Sequence, residues 1–438
     1  MLTRRQLLSQ SLAAPLLAQT GAKRPNIVFL FSDDHHFQAL GAAGNPHIKT
    51  PNLDRLAAGG VRFVNGVVST SQCNPSRGIM LSGREAVQTG LESNGRTDFT
   101  KDIGPSVVEQ LRRSGYDTVQ IGKWHVTPKQ KAMGFNRAPL WLAGGSSKYQ
   151  DPKLRRGLDG ADEVVEGHIT DLFTNAAIEE VKRPRQEPYF LWLAYNAPHG
   201  PLYADEKFTD LYAAKSNAQL APPLHASGGT PFNWGLYYAA ISQLDDAIGR
   251  LFQAIEAAGQ WDNTVIFFVG DNGFMCGTRG WNGKVVHWDE SIRVPLLAGG
   301  GPVKKAVVND AVGTIDVSAT WLDLAGVKPE RPLAGRSLVS YLKTGKGTVD
   351  GAFCSWVDGR KEGLTTGVAV EPYRLVRTDR YKLVVFESRK KELYDCITDV
   401  GEHLNLINDP RSTALRQRME AKLRARLKAI GDPALAWM

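Results

Sequence analysis

Apolar residues along this chain come in two rhythms. Short continuous runs, Ile27-Val28-Phe29-Leu30-Phe31, Tyr189 to Tyr195 and Thr264 to Val269, are what strands buried on both faces of a parallel sheet look like. Further strands are expected over Tyr116 to Ile121 and Leu296-Leu297-Ala298, and Val61-Arg62-Phe63 leads into the segment around Cys73. Between them, apolar residues recur three and four apart. This spacing predicts a capped helix opened by Thr50-Pro51, and helices from Ser106 to Ser114 with Val107, Val108 and Leu111 on one face, and over Ile169 to Val181, Tyr237 to Ala258 and Asp316 to Ala325. Strand alternating with helix predicts an α/β fold, a large, mainly parallel, mixed sheet sandwiched by helices.

The rhythm breaks twice. Residues 136 to 170 are rich in Gly, Lys, Arg and Trp and read as an irregular insertion over the ends of the strands, where long loops are commonly functional. Beyond about residue 330 the runs shorten and alternate, as in Tyr381 to Phe386. A turn is expected at Glu392-Leu393-Tyr394-Asp395, and a charged helix from about Ser412. The organisation read from this is an N-terminal segment, 1–22, a catalytic α/β unit, 23–330, and a smaller C-terminal antiparallel sheet plus helix, 331–438.

Composition narrows the class. With 42% hydrophobic and 22% charged residues the chain is globular rather than disordered. A formal net charge of +8 draws polyanions, but the basic residues form no run that reads as a nucleic-acid arm, so no nucleic-acid partner is expected. Thr3-Arg4-Arg5-Gln6-Leu7-Leu8, a short apolar stretch to Leu17 and small residues near Ala18 and Ala22 have the form of a twin-arginine export signal; a basic, frayed N-terminus is the plainer reading. Nothing later supplies the roughly 18 uninterrupted apolar residues that a spanning helix needs. The expectation is an exported protein, periplasmic or extracellular, without stable membrane association. Four cysteines, Cys73, Cys276, Cys354 and Cys396, are too few for a disulfide scaffold, though Cys354 and Cys396 both fall in the C-terminal part and leave a pairing open.

The polar residues at the expected strand ends carry the chemistry. Ser32-Asp33-Asp34 closes the first strand with two adjacent carboxylates, which repel one another unless a hard cation lies between them; a solvated acidic turn is the alternative. Gly122-Lys123-Trp124-His125, Asn196-Ala197-Pro198-His199 and Gly270-Asp271-Asn272-Gly273 close three others, at the edge where open α/β sheets bind ligands. Cys73-Asn74-Pro75-Ser76-Arg77 opens a short helix. With Pro75 suited to a first helical position, Cys73 would lie about the N-terminus, where free N–H groups favour an oxyanion, and Arg77 one turn on. A buried free cysteine at a helix start is the bland alternative.

The segment Cys73-Asn74-Pro75-Ser76-Arg77, closed by Ser82-Gly83-Arg84, resembles the modification signature of the formylglycine-dependent sulfatases of the alkaline phosphatase superfamily. Asp33-Asp34, Gly-Lys-Trp-His, Ala-Pro-His, Gly-Asp-Asn-Gly and Lys284 ahead of Trp288 to Pro295 match that family in order. The resemblance implies conversion of Cys73 to formylglycine by a formylglycine-generating enzyme. It also implies one Ca²⁺ held by Asp33, Asp34, Asp271, Asn272 and residue 73, with Mg²⁺ suited to the same ligands. Arg77, Lys123 and His125 would orient the nucleophile, and His199 and Lys284 would grip the sulfuryl oxygens and protonate the departing alcohol. The implied substrate is a sulfate ester, a sulfated small molecule or glycan. A phosphonate monoester or phosphodiester hydrolase using the same site is the alternative, and a non-catalytic binder of sulfated polymers is the alternative of another class. His35, His36, His287 and Trp288 fall outside the carried pattern and read equally as pocket lining or loop residues; Trp141, Lys148, Arg155 and Arg156 read as a sugar contact or a solvated face.

Overall fold

The computed structural model describes residues 23–438 apart from 96–97, 223–230 and 359–369, so the export signal expected over residues 1–22 lies outside the described residues. Eight strands form one sheet: β1 (Asn26–Ser32), β2 (Val61–Val67), β3 (Asp117–Lys123) and β4 (Trp141–Leu142), then, beyond a hairpin of β5 (Lys153–Leu154) and β6 (Glu163–Val164), β7 (Tyr189–Ala194), β8 (Thr264–Gly270), β9 (Arg293–Gly299) and β10 (Ala306–Gly313). Their order in space is β10-β2-β9-β8-β1-β7-β3-β4. All neighbours run parallel except the two pairs that β9 makes with β2 and β8. A second, antiparallel sheet follows, β11 (Ala352–Trp356), β12 (Tyr373–Arg377), β13 (Tyr381–Phe386) and β14 (Lys391–Asp395), in sequential order.

The continuous apolar runs have the expected cause. Along β1, Ile27, Phe29 and Phe31 enter one core while Val28 and Leu30 enter the other, so the period-two alternation of side chains finds apolar partners on both faces. One face is covered by the helices Pro51–Gly59, Ile169–Lys182 and Trp234–Ala257. The other is covered by Cys73–Ser82, Val107–Arg113 and Thr314–Leu324, together with one side of the small sheet through Cys354, Trp356, Tyr373, Leu375, Val384 and Phe386. Its outer side, with Phe353, Leu383, Val385 and Leu393, packs against Met419, Leu423 and Leu427 of the helix Thr413–Ile430. No helix among the described residues is long and apolar enough to cross a membrane.

The reversed strand decides where the chemistry collects. β8 ends at Gly270 at the same edge as β1, β3 and β7, and β9 starts back from that edge at Arg293. The whole crossing 271–292 therefore stays at the carboxyl ends of the parallel strands, which is how Lys284, far from any strand end in sequence, arrives beside them.

Four expectations are corrected. Glu392-Leu393-Tyr394-Asp395 is not a turn but most of β14, its charges hidden by pairing: Glu392 with His287 and Asp395 with Arg380. Pro75 is the third helical residue, and Cys73 itself is the first. Thr50 precedes its helix without capping it, because its hydroxyl accepts from the Gly41 amide and donates to Asp54. The stretch 136–170 is only partly irregular, since Trp141–Leu142 joins the main sheet and β5 pairs with β6. Cys354, on β11, and Cys396, just beyond β14, lie toward opposite edges of the small sheet, and all four cysteines are buried free thiols.

Candidate active site

Each strand end delivers its residues for a local reason. Gly122 precedes Lys123 with φ 92°, and a β-carbon there would overlap the carbonyl oxygen of Ala194 on β7; only glycine lets β3 run this close before Lys123 turns into the site. Asp34, His125 and Val285 hold left-handed φ values of 59°, 56° and 69°, a conformation that costs non-glycine residues energy and gathers at functional sites. Asp34 is fixed there by its own amide, which donates to Asp271 Oδ1 at 3.1 Å. The Asp33 amide donates to the Ala197 carbonyl at 3.1 Å, stitching the end of β1 to the loop that carries His199.

All ten candidate residues converge. Cys73, first residue of its helix, has Sγ 3.3 Å from Asp33 Oδ1 and 2.8 Å from Lys284 Nζ. Lys284 also donates to Asp34, and Lys123 to Asp33. Arg77 Nη2 donates to Asp271 Oδ2 at 2.9 Å, and its Nη1 donates to the Lys123 carbonyl at 2.8 Å, so one guanidinium ties the ends of β8 and β3 to the helix that carries Cys73. Asn272 Nδ2 donates to Asp34 Oδ1 at 2.6 Å, and His199 Nε2 lies 3.6 Å from Asp34 Oδ2. His125 lies within the field of Lys123, Arg77, Asp33 and Lys284. Arg77, Lys123, Asp33 and Asp271 are fully buried, whereas the His199 side chain is 24% exposed and gives the cluster its opening to solvent.

The charges divide the labour among these groups. Burial raises the Cys73 thiol, but Lys123 and Lys284 outweigh it and bring it down to about 6. Burial likewise raises Asp34, yet Lys284 and His199 hold it at about 2. Asp271 is pushed up to about 6 by burial and by Asp33. The two histidines part company: burial, with Lys123 and Arg77, takes His125 down to about 2, while for His199 Asp34 and Asp33 overcome burial and lift it to about 9. One oxygen is left over. Asn272 Oδ1 is buried without a hydrogen-bond donor beside three carboxylates, an all-oxygen donor set of the kind that hard divalent cations take.

Other sequence candidates resolve as scaffold. His35 is buried and satisfied, Nδ1 against Ser32 Oγ at 3.0 Å and Nε2 against the Ala39 carbonyl at 2.9 Å. His36 is buried and stacks on Phe37. His287 lies 2.9 Å from Glu392 among Trp288, Tyr373 and Phe386 of the junction with the small sheet. Trp141 is buried, and Arg155 and Arg156 pair with Asp162 and Glu163. Two features escaped the sequence reading. Tyr149, a lone tyrosine in the insertion, donates its hydroxyl to the His199 carbonyl at 2.8 Å. Asp289, within the quoted Trp288 to Pro295 segment, anchors a second buried cluster with Cys396 and Glu402, but here Lys382 is bonded to both carboxylates and Arg377 and Arg293 complete the pairing.

The model of the sulfatase family matches residues 25–327, and that of the C-terminal region of N-sulphoglucosamine sulphohydrolase matches 277–429. The chain is 29% identical to an ulvan-active sulfatase of Formosa agariphila, over 93% of its own length and 82% of that protein. Among solved structures it resembles a protein in complex with its substrate D-glucosamine-2-N,6-O-disulfate, with TM-score 0.82, 24% identity and coverage of 94% and 99% of the two chains. It also resembles the phosphonate monoester hydrolase of Agrobacterium radiobacter, with TM-score 0.73, 21% identity and coverage of 93% and 96%. With a family match spanning most of the chain and the whole of the converging cluster, the protein belongs to the sulfatase family of sulfuric ester hydrolases, in the alkaline phosphatase superfamily.

Proposed function

We propose that this chain is an exported hydrolase of sulfate esters on a sulfated glycan, working through formylglycine at position 73 and one divalent cation. The observation that carries the reading is the setting of Cys73: a buried thiol at a helix N-terminus, in contact with Asp33 and Lys284 and backed by Arg77. Asp33, Asp34, Asp271 and Asn272, with an oxygen of residue 73, would hold Ca²⁺; Mg²⁺ suits the same donors. Bound there, the cation would draw charge from the sulfuryl oxygens and ease ionisation of a hydroxyl on residue 73, which as the hydrated aldehyde is a nucleophile that can later release sulfate.

The remaining roles fall to the chain's own side chains. Arg77 fixes Asp271 and the end of β3, so that Lys123 and the metal-side carboxylates keep their places. Lys284, against Sγ of residue 73, is set to grip a sulfuryl oxygen. His199, cationic beside Asp34 and partly open to solvent, donates a proton to the leaving alcohol. His125, kept neutral, accepts a proton as sulfate departs and the aldehyde re-forms.

The mass of the tryptic peptide containing residue 73, from protein made in its own host, tests the reading together with turnover of an aryl sulfate. Aldehyde at 73 with sulfatase activity is expected; unmodified cysteine without turnover would point instead to a binder of sulfated polymers. The resemblance to a phosphonate monoester hydrolase keeps a second reading alive, and a large preference for aryl phosphonate over aryl sulfate at equal concentration would establish it. The Thr3-Arg4-Arg5 start supports export of the folded protein after a formylglycine-generating enzyme has acted. Aldehyde should then already be present in the cytoplasmic pool.

A further inference from the structure

Two segments meet at the open side of the site. Residues 143–149 of the insertion pass from one histidine to the other: a β-carbon at Gly145 would lie 2.8 Å from the His125 ring, and the Tyr149 hydroxyl bonds the His199 carbonyl. Lys148 lies between these two anchors, next to Tyr149, exposed and without an ion pair among the described residues. The other cations singled out in this insertion, Arg155 and Arg156, are taken up by Asp162 and Glu163.

The second segment is the loop that follows His199, which meets the first through Tyr149. Tyr203 is 42% exposed, and it is the only aromatic residue among the exposed large hydrophobic side chains of the described residues. Its ring is backed by Tyr149, with centroids 6.4 Å apart, and by His168 at 5.8 Å. His168 is 6% exposed, and neither of its ring nitrogens has a hydrogen-bond partner, an unmet polar group directly behind the exposed ring. An exposed aromatic ring backed by Tyr149, with the exposed Lys148 one residue along the chain from Tyr149, is suited to a pyranose that turns its apolar face to the ring and an anionic substituent to the cation.

We infer that Tyr203 and Lys148 form a sugar subsite at the mouth of the active site, taking a pyranose that bears a carboxylate or a second sulfate in addition to the ester being hydrolysed. This deepens the proposed sulfatase function and rests on that reading. The expected substrate is accordingly an oligosaccharide with more than one anionic group rather than an isolated monosulfated compound.

The test compares kcat/KM for p-nitrophenyl sulfate with that for lyase-released disaccharides of ulvan, heparin and chondroitin sulfate, which carry a uronate and a sulfate. The parent should prefer at least one disaccharide. Tyr203→Ala should reduce the ratio of disaccharide to aryl sulfate kcat/KM by about tenfold or more, mainly through KM, while Tyr203→Phe keeps it. Lys148→Ala should remove most of the preference for a doubly charged disaccharide over a singly charged one, and the preference should weaken with added salt. A parent active on aryl sulfate with no disaccharide preference, or variants that lower both substrates equally and leave the ratio in place, would overturn the subsite. A parent with correct aldehyde content that hydrolyses neither kind of ester would instead overturn the sulfatase reading itself.

Discussion

Two buried clusters of charge, one at the candidate active site and one at the junction with the small sheet, are built from nearly the same ingredients. The first sets Asp33, Asp34 and Asp271 against Arg77, Lys123 and Lys284; the second sets Asp289 and Glu402 against Arg293, Arg377 and Lys382. In the second, the oxygens are all met: Asp289 receives Lys382, Arg377 and Arg293, and Glu402 receives Lys382 and the Asp289 amide. Burial would raise Asp289, yet those three cations hold it far below the usual carboxylate range. In the first, an amide oxygen on Asn272 has no donor and one histidine reaches solvent. Charge saturated by the protein's own groups makes a joint. Charge left with an unmet oxygen and an opening makes a site that recruits a cation and a ligand.

The sharpest way to break this contrast is to remove one aspartate from each cluster. Asp271→Ala should abolish measurable turnover, a loss on the order of 10³-fold or more, and weaken Ca²⁺ binding with it. His199→Ala should lower turnover while Ca²⁺ still binds. Calorimetric titration of Ca²⁺ alongside aryl sulfate turnover separates the two, and an Asp271→Ala protein that binds Ca²⁺ like the parent would undo the metal assignment. In the junction, Asp289→Ala leaves Lys382, Arg377 and Arg293 buried without their shared carboxylate, and it should destabilise the fold by about 3–5 kcal/mol. Urea unfolding measures this. Turnover per mole of aldehyde should stay near that of the parent, and a loss of turnover larger than the loss of folded protein would mean that the junction takes part in chemistry.

A smaller effect separates the clusters by their response to the ion. Chelation by EGTA should lower the unfolding temperature and added Ca²⁺ should restore it, the ion contributing about 2.7 kcal/mol of stability when its free concentration is one hundred times its dissociation constant. Asp289→Ala should show the same Ca²⁺ increment on a lower base, because the joint is neutralised by lysine and arginine. Asp271→Ala should show almost none.

The contrast also explains what could be read from sequence. The site was legible because a parallel sheet puts the carboxyl ends of its strands at one edge, so Asp33, Lys123, His199 and Asp271 converge once their strands are recognised. The position of Lys284 was legible only by resemblance, since its approach depends on β9 running backwards between β8 and β2, a pairing set by contacts far apart in the chain. The joint was hidden for a different reason. β14 carries Glu392 and Asp395 in positions that read as exposed turn, and only the partners His287 and Arg380 make those charges tolerable in a sheet. Tyr149 gave no signal of its own, because a tyrosine hydroxyl bonded to a backbone carbonyl has no sequence pattern.

The smallest expected effect concerns the His287–Glu392 pair, which ties the loop after Lys284 to the small sheet at 2.9 Å. Burial raises the Glu392 carboxyl, but His287, Lys390 and Tyr394 outweigh it and hold it at about 2, below the ordinary value of 4.5. The unfolded chain therefore binds more protons than the folded one between those values, and this contribution to stability is present above pH 4.5 and fades as pH falls toward 2. Glu392→Gln should remove it. Because glutamine keeps a hydrogen-bonding side chain against His287, the cost at pH 7 should be about 1 kcal/mol or less. In urea unfolding midpoints the parent and Glu392→Gln curves should run apart at pH 6 to 7 and draw together below pH 4.5. Curves that stay parallel down to pH 3 would show that the pair adds no pH-dependent strength to the joint, leaving the Asp289 cluster to hold the two sheets together.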